Sequence, residues 1–458
     1  MASMHDWDES TDLFAHSVIG YAIERLRLPK DPRWGAQPAD VLRDTFARTI
    51  TPTGLGAHEA MRITREVMIP SCRPMDDPMN LAYVPTAPTV AATMFDLVVS
   101  ASSIFGGNWE AGAGAIAAEN QVLQWLASLA GLPEGSGGTF VSGGSAANLS
   151  ALVAARQRHL DRHGRRGRLA FAATTEVHAS VRATARVMDV EVVPVRCDDR
   201  DRMTAAALDE ALDLATEARP ELDVFAVAAS AGTTNAGAID QLDDVAEVCA
   251  RRDLWLHVDG AYGLAALCSP EGRRRLAGIE HVDSFGVDPH KWLFAPYDCA
   301  ALVYRDPSIA ARTHSQHGDY LDAVDRTDWN PSDYAYHLSR RARGLPLWFS
   351  LATYGTDAYA AAMDRTLATA RAFADAVDAH PSFDLLLDPQ LSIVLFRRRG
   401  WSVEDHHAWS KLRAKDGTAL VVPTKFHGET VMRVCIVHPD TDVARLTPLL
   451  DDMATFSA

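Results

Sequence analysis

The stretch "LWLHVDGAYG", residues 254–263, decides the fold. It is a short, mainly apolar run that ends on Asp259 and continues into the small residues Gly260 and Ala261. Such a run suits a strand covered on both faces, as in a parallel sheet. In open α/β sheets the carboxyl ends of the strands face the ligand, and an aspartate buried there requires a cationic partner.

Working outward, "LAFAATT", "VEVVPVR", "LDVFAVAASAGTT" and "SFGVDPHKW" are further short β-rich runs, most separated by helical segments. "GTFVSGGSAANLSALVAARQRHL" (138–160) reads as strand, glycine turn and helix, and "AIAAENQVLQWLASLAGLP" (115–133) as a helix with a Gly-Leu-Pro stop. The alternation predicts an α/β fold with a mainly parallel, seven-stranded-type sheet covered by helices. Beyond residue 340 the texture changes. A long helical stretch (345–377) precedes strand candidates "LSIVLFRR", "ALVVPTKF" and "TVMRVCIV", implying a smaller α+β domain over 341–458. Residues 86–340 then form the large domain. Residues 1–85, rich in Pro and Gly, form an extension that packs on a neighbouring subunit.

Composition narrows the function. Apolar residues make up 47% of 458, and the formal charge is −16, which argues against nucleic acid or an anionic membrane as partner. The basic run "RHLDRHGRRGR" (158–168) reads as a solvated helix end and loop. The six cysteines, at 72, 197, 249, 268, 299 and 435, form no CxxC or Cys/His pattern, so neither a disulfide framework nor a zinc site is expected. His406-His407 in "VEDHHAWS" reads as an exposed helix without metal-ligand spacing. The acidic start "MASMHDWDES" lacks a signal-peptide pattern, and "PTVAATMFDLVVSASSIFGG" is broken by Asp96, so a cytoplasmic protein is expected.

Four features carry the chemistry. Gly143, Gly144 and Ser145 lie between a strand and a helix, where backbone N–H groups bind phosphate well. An ordinary tight turn explains the pair of glycines equally, and no P-loop lysine or GxGxxG is present. His178 in "TTEVHASVRATARV" sits at a strand-to-helix crossing. Asp259 is the third. Lys291, in "SFGVDPHKWLFAPYDC" (284–299), lies 32 residues after Asp259 at the next comparable strand end. Taken alone, that lysine either packs its stem while its head reaches water, or is held neutral to form an imine with a carbonyl. In this order the four make a pyridoxal phosphate site. The lysine carries the aldehyde, the aspartate pairs with the protonated pyridine nitrogen, the helix N-terminus takes the phosphate, and the imidazole stacks on the ring.

At these residues the chain resembles the group II pyridoxal-phosphate decarboxylases, relatives of the glutamate, histidine and aromatic-amino-acid enzymes. The resemblance runs from about residue 75 to the C-terminus and is most specific at "HVDGAYG" and "DPHKW". It implies a fold-type-I enzyme whose cofactor is held by Gly143, Gly144, Ser145, Asn148, His178, Thr233, Asp259, Ala261, His290 and Lys291. "AYVPTAPT" resembles the family's substrate segment and implies Tyr83, Pro85 and Thr86; Arg433 matches an arginine that binds substrate carboxylate in some members. Asn108 and Trp109 in "SIFGGNWEAGAG" are further substrate-pocket candidates. The resemblance also implies a homodimer with sites at the interface, closed by loop 314–336 of the partner.

One departure stands out. Counting back without gaps from "SRRARGLPLW" (339–348) puts Pro331 where many members carry the tyrosine that returns a proton to the substrate carbon. Tyr334 and Tyr336 are the nearby candidates. The expected activity is therefore that of a lyase on an L-amino acid, releasing CO2 and amine. Oxidative deamination to an aldehyde and β-elimination on an S-substituted cysteine are alternatives within the same chemistry. An aminotransferase and a non-catalytic cofactor-binding protein are alternatives outside it.

Overall fold

The protein is described here by a computed structural model covering residues 4–29, 31, 33–316 and 328–457. Helices α1 (Glu9–Arg27), α2 (Ala39–Phe46) and α3 (Ala57–Ile63) open the chain, followed by α4 (Val90–Ala101) and α5 (Trp109–Leu129). Helix α1 is well specified locally. Asp8 caps it, Glu9 and Asp12 occupy its first turn, and Arg25 and Arg27 its last, all matched to the helix dipole. Yet α1 buries no residue, and Leu13, Phe14, Val18, Ile19 and Ile23 are exposed along it.

The large sheet is built from β1 (Gly137–Val141), α6 (Gly144–His163), β2 (Arg168–Thr174), α7 (Ala179–Met188), β3 (Glu191–Val195), α8 (Ala205–Ala218), β4 (Leu222–Ser230), α9 (Leu242–Arg251), β5 (Trp255–Asp259), α10 (Pro270–Arg275), β6 (Ser284–Val287), β7 (Ala300–Tyr304) and α11 (Pro307–His314). Strand order is β1-β7-β6-β5-β4-β2-β3. Only β7 runs against the others. The expected seven-stranded, mainly parallel sheet is present, and its central strands are buried runs such as Ala226–Ser230 and all of β5. Alanines on β4 let helices approach closely from both faces, the usual solution for a doubly covered sheet.

The second unit contains α12 (Leu345–Tyr354), α13 (Thr356–Ala379), β8 (Phe383–Leu385), β9 (Ile393–Arg398), α14 (Val403–Asp416), β10 (Thr424–Phe426), β11 (Glu429–Cys435) and α15 (Val443–Thr455). Its antiparallel sheet has the order β10-β11-β9-β8. The long helical stretch of the sequence is two helices, because Gly355 adopts φ +77° between them, a conformation that side chains with a Cβ resist. "SRRARGLPLW" begins with a buried anchor. Arg340 and Glu119 form a two-bonded ion pair at 2.7 and 2.8 Å, and Gly344 N–H donates to the same carboxylate at 2.7 Å. Helix α14 corrects one expectation: His406 is buried, with Nδ1 2.6 Å from the Ser402 carbonyl, while His407 is exposed. Among the described residues no helix is long and apolar enough to cross a membrane, and all six cysteines are free.

Candidate active site

Every part of the four-part constellation lies at the carboxyl end of a parallel strand: Gly143–Ser145 follow β1, His178 follows β2, Asp259 ends β5, and Lys291 follows β6, while Thr233 likewise follows β4. Backbone bonds weld these ends together. Gly260 N–H donates to Gly286 O at 3.0 Å, Asp288 N–H to Ala261 O at 3.0 Å, and Lys291 N–H to Asp288 O at 2.9 Å. The Asp-Pro turn of the sequence therefore brings Lys291 back under the end of β5.

Asp259 is buried and accepts from Asn148 Nδ2 at 2.8 Å and Ala261 N–H at 3.1 Å. Lys291 Nζ lies 2.9 Å from Asp288 Oδ2. Burial alone pulls the ammonium pKa down, but the charge and hydrogen bond of Asp288, with Asp259 behind it, outweigh burial and hold it above its ordinary value. The neutral lysine expected from the sequence is thus corrected. Asp288, read only as part of a turn, keeps the free amine protonated.

His178 is the N-cap of α7, its Nδ1 accepting the Ser180 N–H at 3.3 Å, and its ring stays exposed. It lines a cavity of about 660 Å³ with Tyr83, Thr234, Asn235, Val422 and Arg433. His290 is buried, bound through Nδ1 to the Cys299 backbone, and burial lowers its pKa. Thr233 shapes the turn after β4, its Oγ1 accepting Ala238 N–H at 3.1 Å.

Several substrate candidates take other positions. Arg433 Nη1 donates to Tyr83 O at 2.6 Å, Nη2 to Thr234 O at 2.7 Å, and Nε to both Thr234 O and Asn235 O. It clamps the segments that line the cavity. Pro85 and Thr86 are buried, with Thr86 Oγ1 3.4 Å from Ala295 O. Asn108 caps α5, and Trp109 N–H donates to Asn330 Oδ1 at 2.9 Å; neither lines the cavity beside His178. Tyr334 stacks on Trp329, and its carbonyl accepts from Tyr304 OH. Tyr304 pairs with Ser284 at the start of β6, so Tyr334 sits at the sheet edge opposite Lys291. Tyr336 is exposed, its N–H on Ser150 Oγ. Pro331 opens a single 3₁₀ turn. Of loop 314–336, residues 317–327 lie outside the described residues.

The model of the pyridoxal-dependent decarboxylase conserved domain matches residues 56–399. The chain belongs to this family. It is a pyridoxal-phosphate-dependent lyase of amino acids, as the motifs imply. Aromatic-L-amino-acid decarboxylase of Bacillus atrophaeus is 30% identical, over 90% of this chain and 88% of that one. The Drosophila simulans protein of the same name is 31% identical over 82% of this chain and 77% of its own. A crystal structure of Oryza sativa TDC with PLP and tryptamine superposes with a TM-score of 0.91 at 26% identity, covering 99% of both chains.

The residues present fit that cofactor. A Cβ on Gly144 would stand 3.0 Å from Ala261 Cβ and 3.2 Å from Asp288 Oδ1, so the glycine keeps open the space between the helix N-terminus, Ala261 and Asp288. Asp288 Oδ1 is buried there without a hydrogen-bond partner, a valence that native interiors rarely leave unfilled.

Proposed function

We propose that this pyridoxal-dependent decarboxylase acts on an aromatic L-amino acid, releasing CO2 and the aryl-substituted amine. What carries the reading is 30% identity to an aromatic-L-amino-acid decarboxylase across nine tenths of the chain. The state of Arg433 supports it: engaged by three backbone carbonyls, it is poorly placed to serve an acidic substrate side chain. The test is a substrate panel of L-tryptophan, L-tyrosine, L-phenylalanine and L-glutamate, read as kcat/KM. Preference for L-glutamate would overturn the specificity.

Lys291 would hold the cofactor's aldehyde carbon, Gly144 and Ser145 amides its phosphate, Asp259 its ring nitrogen and His178 one ring face. When bound, the cofactor supplies a protonated ring that accepts the electron pair left as CO2 departs. Asp259, its carboxylate fixed by the Asn148 and Ala261 N–H donors, would face that nitrogen and favour its protonated form. Arg433 keeps the Tyr83 and Thr234 segments in place beside the exposed face of His178.

The α-carbon must then receive a proton. Tyr334 is buried in a stack on Trp329, so we assign this step to Tyr320, the third tyrosine of loop 314–336, which lies outside the described residues, with the exposed Tyr336 as the other candidate of that loop. Tyr320→Phe is expected to divert product from amine toward aldehyde, with one O2 and one water consumed and ammonia and peroxide released. Tyr334→Phe leaves the ratio unchanged. A wild-type ratio in Tyr320→Phe removes it from the role.

The exposed apolar face of α1 supports a homodimer in the cytoplasm, where free cysteines stay reduced. Light scattering should give about twice the 49.7 kDa chain mass, and a monomer at all concentrations would contradict the dimer.

A further inference from the structure

Behind Asp259 lies a buried chain of hydrogen bonds whose direction the chemistry of its members determines. Trp255 Nε1, which can only donate, is 2.9 Å from Ser284 Oγ. The Ser284 oxygen is thus an acceptor there, which leaves its own proton free to point to His257 Nδ1, also at 2.9 Å. His257 Nε2 is 2.9 Å from Asn148 Oδ1, and Asn148 Nδ2 is 2.8 Å from Asp259 Oδ2 and 3.1 Å from Ser180 Oγ. Reversing the amide would set its oxygen against the Asp259 carboxylate, so the oxygen must face His257. His257 consequently carries its single proton on Nε2. Burial favours that neutral form, pulling its pKa down to about 4 against the opposing charge of Asp259. At the far end, Ser180 Oγ is 2.8 Å from His178 Nδ1, which also accepts the Ser180 backbone N–H. The His178 proton is thereby confined to Nε2.

We propose that His257 and Asn148 are positioning residues: their one-way chain keeps the Asn148 amide donating to Asp259 and holds His178 in its Nε2–H form before the cofactor enters. The inference rests on the reading that Asp259 and His178 meet the cofactor. His257 is fully buried and does not line the cavity. Its effect passes through Asn148, whose amide donates directly to Asp259 and, through Ser180 Oγ, acts on His178. Two N–H donors fix the carboxylate in place, and outer partners that orient a functional group typically change affinity or activity 10- to 100-fold when removed, as at metal sites.

The test compares His257→Phe, His257→Gln and Asn148→Leu in the full chain. Nitrogen-15 NMR of labelled histidines is recorded without cofactor, then cofactor affinity and the absorption spectrum of the loaded enzyme. Wild type is expected to show both His257 and His178 protonated on Nε2 only. His257→Phe and Asn148→Leu are expected to weaken pyridoxal phosphate binding about 10- to 100-fold and to alter the bound cofactor's spectrum, on the scale of lost orienting partners. His257→Gln, whose amide can still donate to Asn148, should recover affinity to within about threefold, which a merely space-filling role would not require. A proton on His257 Nδ1, or wild-type affinity and spectrum in both Asn148→Leu and His257→Phe, would overturn the proposal. The NMR result on wild type decides even where His257→Phe fails to fold. Lys291→Ala tests the underlying reading separately, because the histidine tautomers in cofactor-free protein do not depend on it.

Discussion

Lys291→Ala is expected to lower turnover by at least about a thousandfold, the scale of removing a covalent catalyst, and to abolish the borohydride-reducible link to the cofactor. The reasoning starts from the 2.9 Å contact between Lys291 Nζ and Asp288 Oδ2. Removing the ammonium deletes the amine that holds the aldehyde carbon. It also leaves Asp288 buried with neither oxygen paired to a cation, since Oδ1 already lacks a hydrogen-bond partner. A buried carboxylate stripped of its cation is costly and tends to take up a proton. Stability should therefore fall together with activity. Lys291→Arg separates the two effects, because it restores a cation near Asp288 but offers no primary amine. It should recover stability and stay inactive. Activity in either variant would remove Lys291 from its role.

Asp259→Asn is expected to lower kcat/KM by about 10²- to 10³-fold, the scale for losing one electrostatic group aimed at the reacting system. Loss of charge is only part of the cause. Asp259 accepts N–H groups on both oxygens, from Ala261 and from Asn148. An asparagine would turn an NH2 toward one of these donors, so the change removes the partner of the ring nitrogen and sets two donors against each other. Kinetics and the absorption spectrum of the loaded variant check this together. Near-wild-type kcat/KM would mean that Asp259 does not hold the ring proton.

The parts of this site that the sequence makes legible are those whose chemistry is local. An aspartate ending a buried strand and a lysine after an Asp-Pro turn announce themselves, because burial of either is otherwise unfavourable. Long-range partners are not written locally. Asp288 reads as a turn residue until the fold places it on Lys291. Arg433 reads as a substrate cation until the fold brings three carbonyls to it from residues 83, 234 and 235. His257 passes as an ordinary strand residue in "LWLHVDG", since nothing nearby signals that Asn148, 109 residues earlier, meets its ring. Strand β7 was also hidden. Its "AALVY" has the same apolar texture as its neighbours, and texture carries no direction. Proximity in sequence to the expected position points to Tyr334 and Tyr336, whereas the turn at Pro331 and the stack on Trp329 bury Tyr334 away from Lys291 of its own chain.

The central claim is that the family chemistry ends in plain decarboxylation of an aromatic amino acid. The most direct measurement supplies L-tryptophan to the cofactor-loaded protein and quantifies CO2, tryptamine and ammonia in one vessel. Equal amounts of CO2 and tryptamine without ammonia are predicted. Ammonia with indole-3-acetaldehyde in place of tryptamine, or no CO2 from any aromatic amino acid, would contradict the account.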